Sequence, residues 1–329
     1  MKILFIGGTG NISLYCTYAA LEKGYELFHL NRGSHSGLVP AGVTTLTADI
    51  RDPQQVKHVL KGLHFASVVN WVAFHPKHIE QDIEIFSQIT DQYVFISSAS
   101  VYLKPPTHWV VAETTPLANP FWQYSKEKIA CEDFLRSTST ERDFPMTIVR
   151  PSHTYGCTWI PTSFGSRDYT VPTRMLSGKE IIVHGDGQSI WTLTHSRDFA
   201  KGFIGLLGNP LALGEAFHIT SDEALTWDNI HRVIARGLGT EPKIIHIPSD
   251  FIAKFSPDKG ASLLGDKAYS TVFDNSKIKR VVPDFSPNIT FESGIQESLD
   301  WYDAHPEAKV VNSNTDAEIE RILDAWKRK

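Results

Sequence analysis

The chain of 329 residues is 41% hydrophobic and 21% charged, the composition of a soluble globular protein long enough for about two domains. Its formal charge of −5 lacks the basic excess of a general nucleic-acid binder. Three cysteines, Cys16, Cys131 and Cys157, are odd in number and widely spaced with no C-x-x-C, so no disulfide framework or zinc site is expected, which suits a reducing cytosol.

Lys2–Ile6 is a short apolar run that predicts a buried first strand, too short for a signal-peptide core. It leads into Gly7-Gly8-Thr9-Gly10-Asn11-Ile12-Ser13, with a helix expected over Ile12–Lys23. Further strands are predicted at Tyr25–Leu30, Ser67–Val72, Tyr93–Ser97 and Thr147–Arg150. Helices are predicted over Gln54–Lys61, Pro76–Thr90 and Trp122–Ser137. This alternation is the rhythm of βα units, and right-handed crossovers give an α/β fold: a Rossmann-type, doubly wound parallel sheet over residues 1–150.

After Pro151 the rhythm changes, and residues 151–315 read as a smaller mixed α/β domain suited to substrate recognition. Its expected elements are a helix at Val171–Ser177, strands at Ile181–His184, Ala216–Ile219 and Lys243–Ile247, and helices at Trp227–Leu238 and near Glu292–His305. Asp198–Leu207 reads as a helix returning to the first domain, within a segment near 190–207. In residues 316–329, Ile319, Ile322, Leu323 and Trp326 recur at helical spacing and predict an amphipathic helix docked on its own chain. No apolar run approaches the roughly eighteen residues of a membrane span. The densest histidine group, His75-Pro76-Lys77-His78, lacks the carboxylates of a metal site. A cytoplasmic protein without a metal or a membrane contact is expected.

The glycine-rich turn between a strand and a helix has a physical purpose. Gly7 permits the tight turn, and Gly10 lets backbone N–H groups approach a pyrophosphate at the helix N-terminus. Thr9, Asn11 and Ile12 belong to the same turn. About twenty residues on, where an acid normally binds the ribose hydroxyls, the second strand ends in Asn31-Arg32-Gly33. Asn31 can bond a hydroxyl and Arg32 can pair with a 2′-phosphate, which favours NADP over NAD. The bland alternative makes Arg32 a surface-loop residue. Asp49-Ile50 is placed to meet the adenine ring, or else Asp49 is an exposed turn aspartate.

Tyr124 and Lys128, four residues apart, share one face of a predicted helix. A phenol ionises near 10 and is a weak acid or base at neutral pH, and a neighbouring ammonium lowers that value. Upstream stands Ser97-Ser98-Ala99-Ser100. The set reads as a proton-transfer device beside a hydride carrier.

These motifs occur in a fixed order: Gly7-Gly8-Thr9-Gly10, Asp49-Ile50, Ser97-Ser98-Ala99-Ser100-Val101-Tyr102, Tyr124-x-x-x-Lys128, Arg150-Pro151 and Gly185-Asp186-Gly187. In this the chain resembles the extended short-chain dehydrogenase/reductase superfamily, the NAD-dependent epimerase/dehydratase group, to about Tyr302. The resemblance implies that Tyr124 exchanges a proton with the reacting hydroxyl or carbonyl, that Lys128 holds the nicotinamide ribose, and that Ser98 bonds the substrate oxygen with Ser100 beside it. It also implies that Asn70 and Ala73 line the cofactor groove, and that a homodimer forms through helices of the first domain. Epimerisation or reduction of a sugar-like substrate follows. Dehydration is least supported, because the usual Asp-Glu pair is replaced by Ala99 and Ser100. Where sugar-nucleotide members carry Asn and a diphosphate-binding arginine, this chain has His153 and Trp191, so a sugar nucleotide is in doubt unless Arg167, Arg174 or Arg197 compensates. The second half, with Thr194-His195-Ser196-Arg197-Asp198 and Phe217-His218-Ile219-Thr220, is also similar to chloroplast stem-loop RNA-binding proteins, an atypical branch. That supplies a rival reading, a non-catalytic cofactor-binding or RNA-associated protein.

Overall fold

The structure, a computed structural model, describes every residue except His35 and Ser166. Seven strands form one sheet: β1 (Lys2–Ile6), β2 (Glu26–Asn31), β3 (Thr44–Thr47), β4 (Ser67–Asn70), β5 (Tyr93–Ile96), β6 (Met146–Pro151) and β7 (Ala216–Ile219). Their order is β7-β6-β5-β4-β1-β2-β3, and every pair is parallel. The direction of winding therefore reverses between β1 and β4, the switch point at which doubly wound sheets open a crevice for a ligand. Strands β4, β5 and β6 are buried along their whole length, which is why they read as unbroken apolar runs.

Four helices follow the first strands: α1 (Ser13–Glu22), α2 (Pro53–Val59), α3 (Pro76–Phe86) and α4 (Gln123–Arg142). On one face of the sheet α2, α3 and α4 set Val56, Ile79, Ile83, Cys131 and Leu135 against Leu4, Val68, Phe95 and Ile148. On the other face α1 and the helix Ser196–Leu206 set Cys16, Ala20, Phe199 and Phe203 against Ile3, Phe5, Val69 and Val149. The helix expected to return to the first domain thus covers one side of its sheet.

Two strands depart from the sequence expectation. Thr44-Thr45-Leu46-Thr47 carries a single apolar residue and forms the exposed edge strand β3, so burial leaves almost no pattern there. Ala216–Ile219, expected in the second domain, is strand β7 and pairs with β6. Ile278, Val282 and Phe285 also pack into the first core. The chain crosses back to the sheet more than once.

The second core is built on a parallel pair, Glu180–His184 with Lys243–Ile247. Trp227, Ile230 and Ile234 from the helix Trp227–Gly237 meet Ile295 and Leu299 from Phe291–Ala304. The last helix, Ser313–Lys327, lays Ile319, Ile322 and Leu323 on this core. Its outer turn is fixed by Arg174, 3% exposed, which binds Asp316 at 2.5 Å and Glu320 at 2.8 Å. Short helices at Ser249–Phe255 and Pro257–Ser262 and a one-turn π-helix at Leu263–Lys267 lie outside the expected elements, because so few residues carry no helical period. Among the described residues no helix is long and apolar enough to cross a membrane, and no cluster of three or more His, Cys, Asp or Glu side chains could hold a metal ion.

Buried imidazoles make the fold acid-sensitive. Burial lowers His29, His184, His195 and His231 to about 4, against about 6.5 in an unfolded chain. The unfolded state therefore binds more protons between these values, and the stability held above about 6.5 drains as pH falls towards about 4. Asp82, which burial raises to about 7, acts in the opposite sense by resisting ionisation as pH rises. Four imidazoles outweigh one carboxyl. The melting temperature is expected to fall steadily below pH 6.5 or so; a flat profile down to about pH 5 would refute this account.

Candidate active site

The turn after β1 is shaped to admit a dinucleotide. Gly7 (φ 97°) and Gly8 (φ 116°) lie in the left-handed region, and a Cβ on Gly8 would overlap the ring of His29 beneath it. The N-terminus of α1 has no side-chain cap, so its first N–H groups remain available to an anion. Ser13, standing where Gly or Ala is usual, accepts a hydrogen bond from Gly10 N at 2.9 Å and steadies the turn. Beside it opens a cavity of about 450 Å³ lined by Gly7, Thr9, Asn31, Arg32, Asp49, Ile50 and Arg51. The residues present therefore fit a dinucleotide.

Within that cavity some assignments sharpen. Asn31 Oδ1 accepts from Gly33 N at 3.0 Å and shapes the loop that leaves Arg32 exposed at the rim. Asp49 Oδ1 accepts from Arg51 N at 2.9 Å, so part of its carboxylate serves the turn. Arg51, unmarked by any motif, donates to Val72 O at 2.6 Å along the cavity wall. Asn70 does not line the groove. It is fully buried, donates to Asp82 and accepts from Val72 N at 2.7 Å, and is therefore an internal strut beneath β4. Ala73 is also fully buried and contributes its carbonyl rather than its side chain.

Ser98, Tyr124 and Lys128 converge from β5 and α4. Ser125 Oγ donates to Ser100 Oγ at 2.8 Å, and Ser100 Oγ stands 2.9 Å from Ser98 Oγ. Ser125, Ser100 and Ser98 thus form one hydroxyl chain that fixes the Ser98 side chain. Ser100 is 3% exposed and supports Ser98 from behind. Lys128 Nζ donates to Ala73 O (2.7 Å) and Ile96 O (2.8 Å) and sits 5.8 Å from the centre of the Tyr124 ring. An ammonium has three donors; among the described residues the third has no protein acceptor.

The electrostatics reverse one expectation. Burial raises the Tyr124 phenol to about 12; its hydrogen bond with Ser98 pulls the other way, and the charge of Asp266 adds to the rise. Burial also lowers Lys128 to about 8. The lysine spends two donors on carbonyls, and desolvation of the phenol prevails over its charge. Tyr124 therefore holds its proton at neutral pH.

A second cavity, about 370 Å³, joins this set to the C-terminal half. One wall carries Asn11, Ile12, the Ser97–Ser100 loop, Trp122 and Tyr124; the other carries His153, Trp159, Arg167, Trp191, Asp266 and Lys267. The walls are tied together. Asn11 Nδ2 donates to Thr154 O at 2.9 Å, and Asn119 Nδ2 donates to both Ser100 O (2.8 Å) and Gly265 O (2.6 Å). Asn11 and Ile12 so face this second cavity, while Thr9 faces the first. His153 lies 4.8 Å from Trp159, ring centre to ring centre, and Trp191 stacks towards Trp227 at 6.2 Å. Of the three compensating arginines, only Arg167 is here. Arg174 is held by the last helix and Arg197 by Glu297. Asp266, Lys267, Trp122 and Asn119 carried no recognisable motif, since their importance depends on two segments meeting.

The sheet order and the glycine turn define a dinucleotide-binding Rossmann protein, and the Ser98–Tyr124–Lys128 cluster narrows it to the short-chain dehydrogenase/reductase type. The model of the NAD dependent epimerase/dehydratase family matches residues 3–219, and the chain belongs to that family. It is 27% identical to the chloroplast stem-loop binding protein of 41 kDa b from Arabidopsis thaliana over 267 residues, covering 76% of this chain and 67% of that protein. It is 22% identical to 2'-dehydrokanamycin reductase from Streptomyces kanamyceticus, over 87% of this chain and 80% of that one. The crystal structure of UDP-glucuronic acid 4-epimerase from Bacillus cereus, in complex with UDP-glucuronic acid and NAD, shares the fold with a TM-score of 0.73 at 18% identity, over 93% of this chain and all of that one.

Proposed function

We propose that the protein is an NAD(P)-dependent oxidoreductase or epimerase acting at a hydroxyl or carbonyl carbon of a small sugar-like molecule. The observation that carries this is the meeting of Ser98 and Tyr124 on one wall of the second cavity, with Lys128 buried beneath them. The dinucleotide, when bound, supplies the hydride acceptor or donor. Ser98 holds the substrate oxygen through its hydroxyl. Tyr124, protonated at rest, is set to give its proton to a carbonyl oxygen as that oxygen gains charge, and to take it back in the reverse direction. Lys128 offers its remaining donor to a ribose hydroxyl, and its charge stabilises the phenolate formed after transfer. The resting protonation favours reduction as the first half-reaction.

Arg32, exposed at the rim of the first cavity without a carboxylate partner among the described residues, supports NADP as the preferred cofactor. Arg32→Ala is expected to weaken NADP+ binding by about tenfold, with NAD+ affected far less, as one exposed charge contact would give. Equal weakening of both, measured by fluorescence titration, would remove that preference. The reading as a whole is tested by mass spectrometry and absorbance of the purified protein. A retained oxidised dinucleotide favours an epimerase, a freely exchanging one favours a reductase, and failure to bind either sinks the proposal.

The likeness to the stem-loop binding protein keeps an RNA-associated role as the second reading. A net charge of −5 opposes it. RNA affinity that falls steeply with salt would revive it.

A further inference from the structure

The glycine turn lies on a polar floor. His29 interrupts the apolar run of Leu27, Phe28 and Leu30 in β2, is fully buried, and stacks towards Phe5 with ring centres 5.9 Å apart. Thr17, one turn into α1, is fully buried as well. Its Oγ1 stands 3.0 Å from His29 Nε2, 3.0 Å from Gly8 O and 2.9 Å from Ser13 O. A hydroxyl has one proton to give. Ser13 O already receives the Thr17 N–H in the ladder of α1. Among the described residues Gly8 O accepts from nothing but the Thr17 hydroxyl. Were that proton given to Nε2 instead, a buried carbonyl would be left without a donor. The bonds therefore run from His29 Nε2–H to Thr17 Oγ1, and from the Thr17 hydroxyl to Gly8 O.

This floor is costly. His29 Nδ1 is buried without a partner, and burial keeps the ring neutral by lowering it to about 4. An aliphatic side chain would continue the strand without that desolvation. A polar group kept against its surroundings points to a task beyond packing.

The task is visible in one peptide unit. The Gly8–Thr9 bond is trans, so its C=O and N–H point in opposite directions. Drawing Gly8 O down onto Thr17 turns Thr9 N–H away from the floor. That N–H has no acceptor among the described residues, and Thr9 lines the first cavity. The ring beneath Gly8 is also a steric stop, since a Cβ there would overlap it.

We propose that Thr17 and His29 are positioning residues for the dinucleotide: they hold the Gly8 carbonyl inward and so keep Thr9 N–H aimed at the pyrophosphate. Both act through the backbone. The inference rests on the dinucleotide-binding part of the oxidoreductase reading and adds two residues to it that no glycine motif contains.

The test is calorimetric titration of the unaltered protein, Thr17→Val, His29→Leu, their double variant and His29→Gln with NADP+, NAD+ and adenosine, which has no pyrophosphate. Thr17→Val and His29→Leu are each expected to lose about tenfold of the affinity for the preferred dinucleotide, as a misdirected hydrogen bond to a charged group would give. Adenosine, held at the far end of the cavity by other residues, should bind all variants alike. The double variant should be little weaker than either single one, because both break the same chain of bonds. His29→Gln, whose amide can donate from nearly the same place, should restore most of the affinity. Dinucleotide and adenosine affinities that fall together, or a lower melting temperature with unchanged dinucleotide affinity, would reduce the pair to a fastener of α1 on β2 and overturn the inference. Should His29→Leu fail to fold, Thr17→Val, nearly equal in volume to the original, decides alone. If the unaltered protein binds neither dinucleotide, the oxidoreductase reading falls too; if it binds one and the variants bind it equally, only the positioning role falls.

Discussion

Replacing Tyr124 by phenylalanine is expected to lower turnover by at least about a hundredfold, the lower end for a positioned acid–base group, with dinucleotide affinity little changed. The expectation follows from the phenol's surroundings. Its hydroxyl bonds Ser98, whose own orientation is set by Ser100 and Ser125. Loss of the hydroxyl removes the proton but leaves the ring between Trp122, 4.8 Å away, and Phe74, 6.5 Å away. The dinucleotide cavity is lined by other residues and should be untouched. Turnover within about threefold of the unaltered protein would contradict the proposed role. Because burial holds the phenol near 12 and Lys128 near 8, the rate of carbonyl reduction should hold through neutral pH and decline as pH passes about 8. Below that value Lys128 is charged and can stabilise the phenolate; above it the ammonium is lost.

Arg150→Met is expected to lower the free energy of unfolding by about 3–5 kcal/mol, the cost of breaking a buried ion pair from one side. Arg150 Nε and Nη2 grip Glu132 at 2.9 and 2.6 Å, with side-chain exposures of 2% and 0%. The guanidinium also lies 4.8 Å from the Tyr102 ring centre, and Tyr102 in turn bonds His218 of β7 at 2.9 Å. With Arg150 gone, Glu132 would be a lone carboxylate inside the sheet-facing side of α4. Against a total stability of about 5–15 kcal/mol, the change is large enough to unfold a sizeable fraction of molecules. Adding Glu132→Leu should recover most of the loss, since an apolar pair of similar volume is often as stable as a buried ion pair. Denaturant titration reads both variants. A single variant within about 1 kcal/mol of the original would show that Glu132 protonates or finds another partner.

How far the sequence could be read depended on the range of the interaction. Local signals were dependable: β1, the glycine turn and the four-residue step from Tyr124 to Lys128 lie within single elements. The exposed strand β3 escaped because one leucine among threonines makes no pattern. The arginines were harder, since helical spacing does not say that Arg174 meets Asp316 or that only Arg167 reaches the cavity. The sign at Tyr124 was beyond spacing altogether, because it is settled by burial from several segments. Asp266 and Lys267 gained their place only when the π-helix docked against Asn119 and Trp122. Asn70 shows the converse: a motif position near the groove was turned inward by Asp82.

The pairing of β7 with β6 bears on how the protein is made. Strand β6 ends at Pro151, but its outer neighbour begins at Ala216. Until that later stretch leaves the ribosome, one side of the sheet presents unpaired backbone groups next to an otherwise finished nucleotide-binding half. Open edges of this kind invite pairing with other chains. The amino-terminal half is thus no free-standing module that could be grafted elsewhere. It gains the strand that covers β6 only after much of the substrate-binding half has been synthesised.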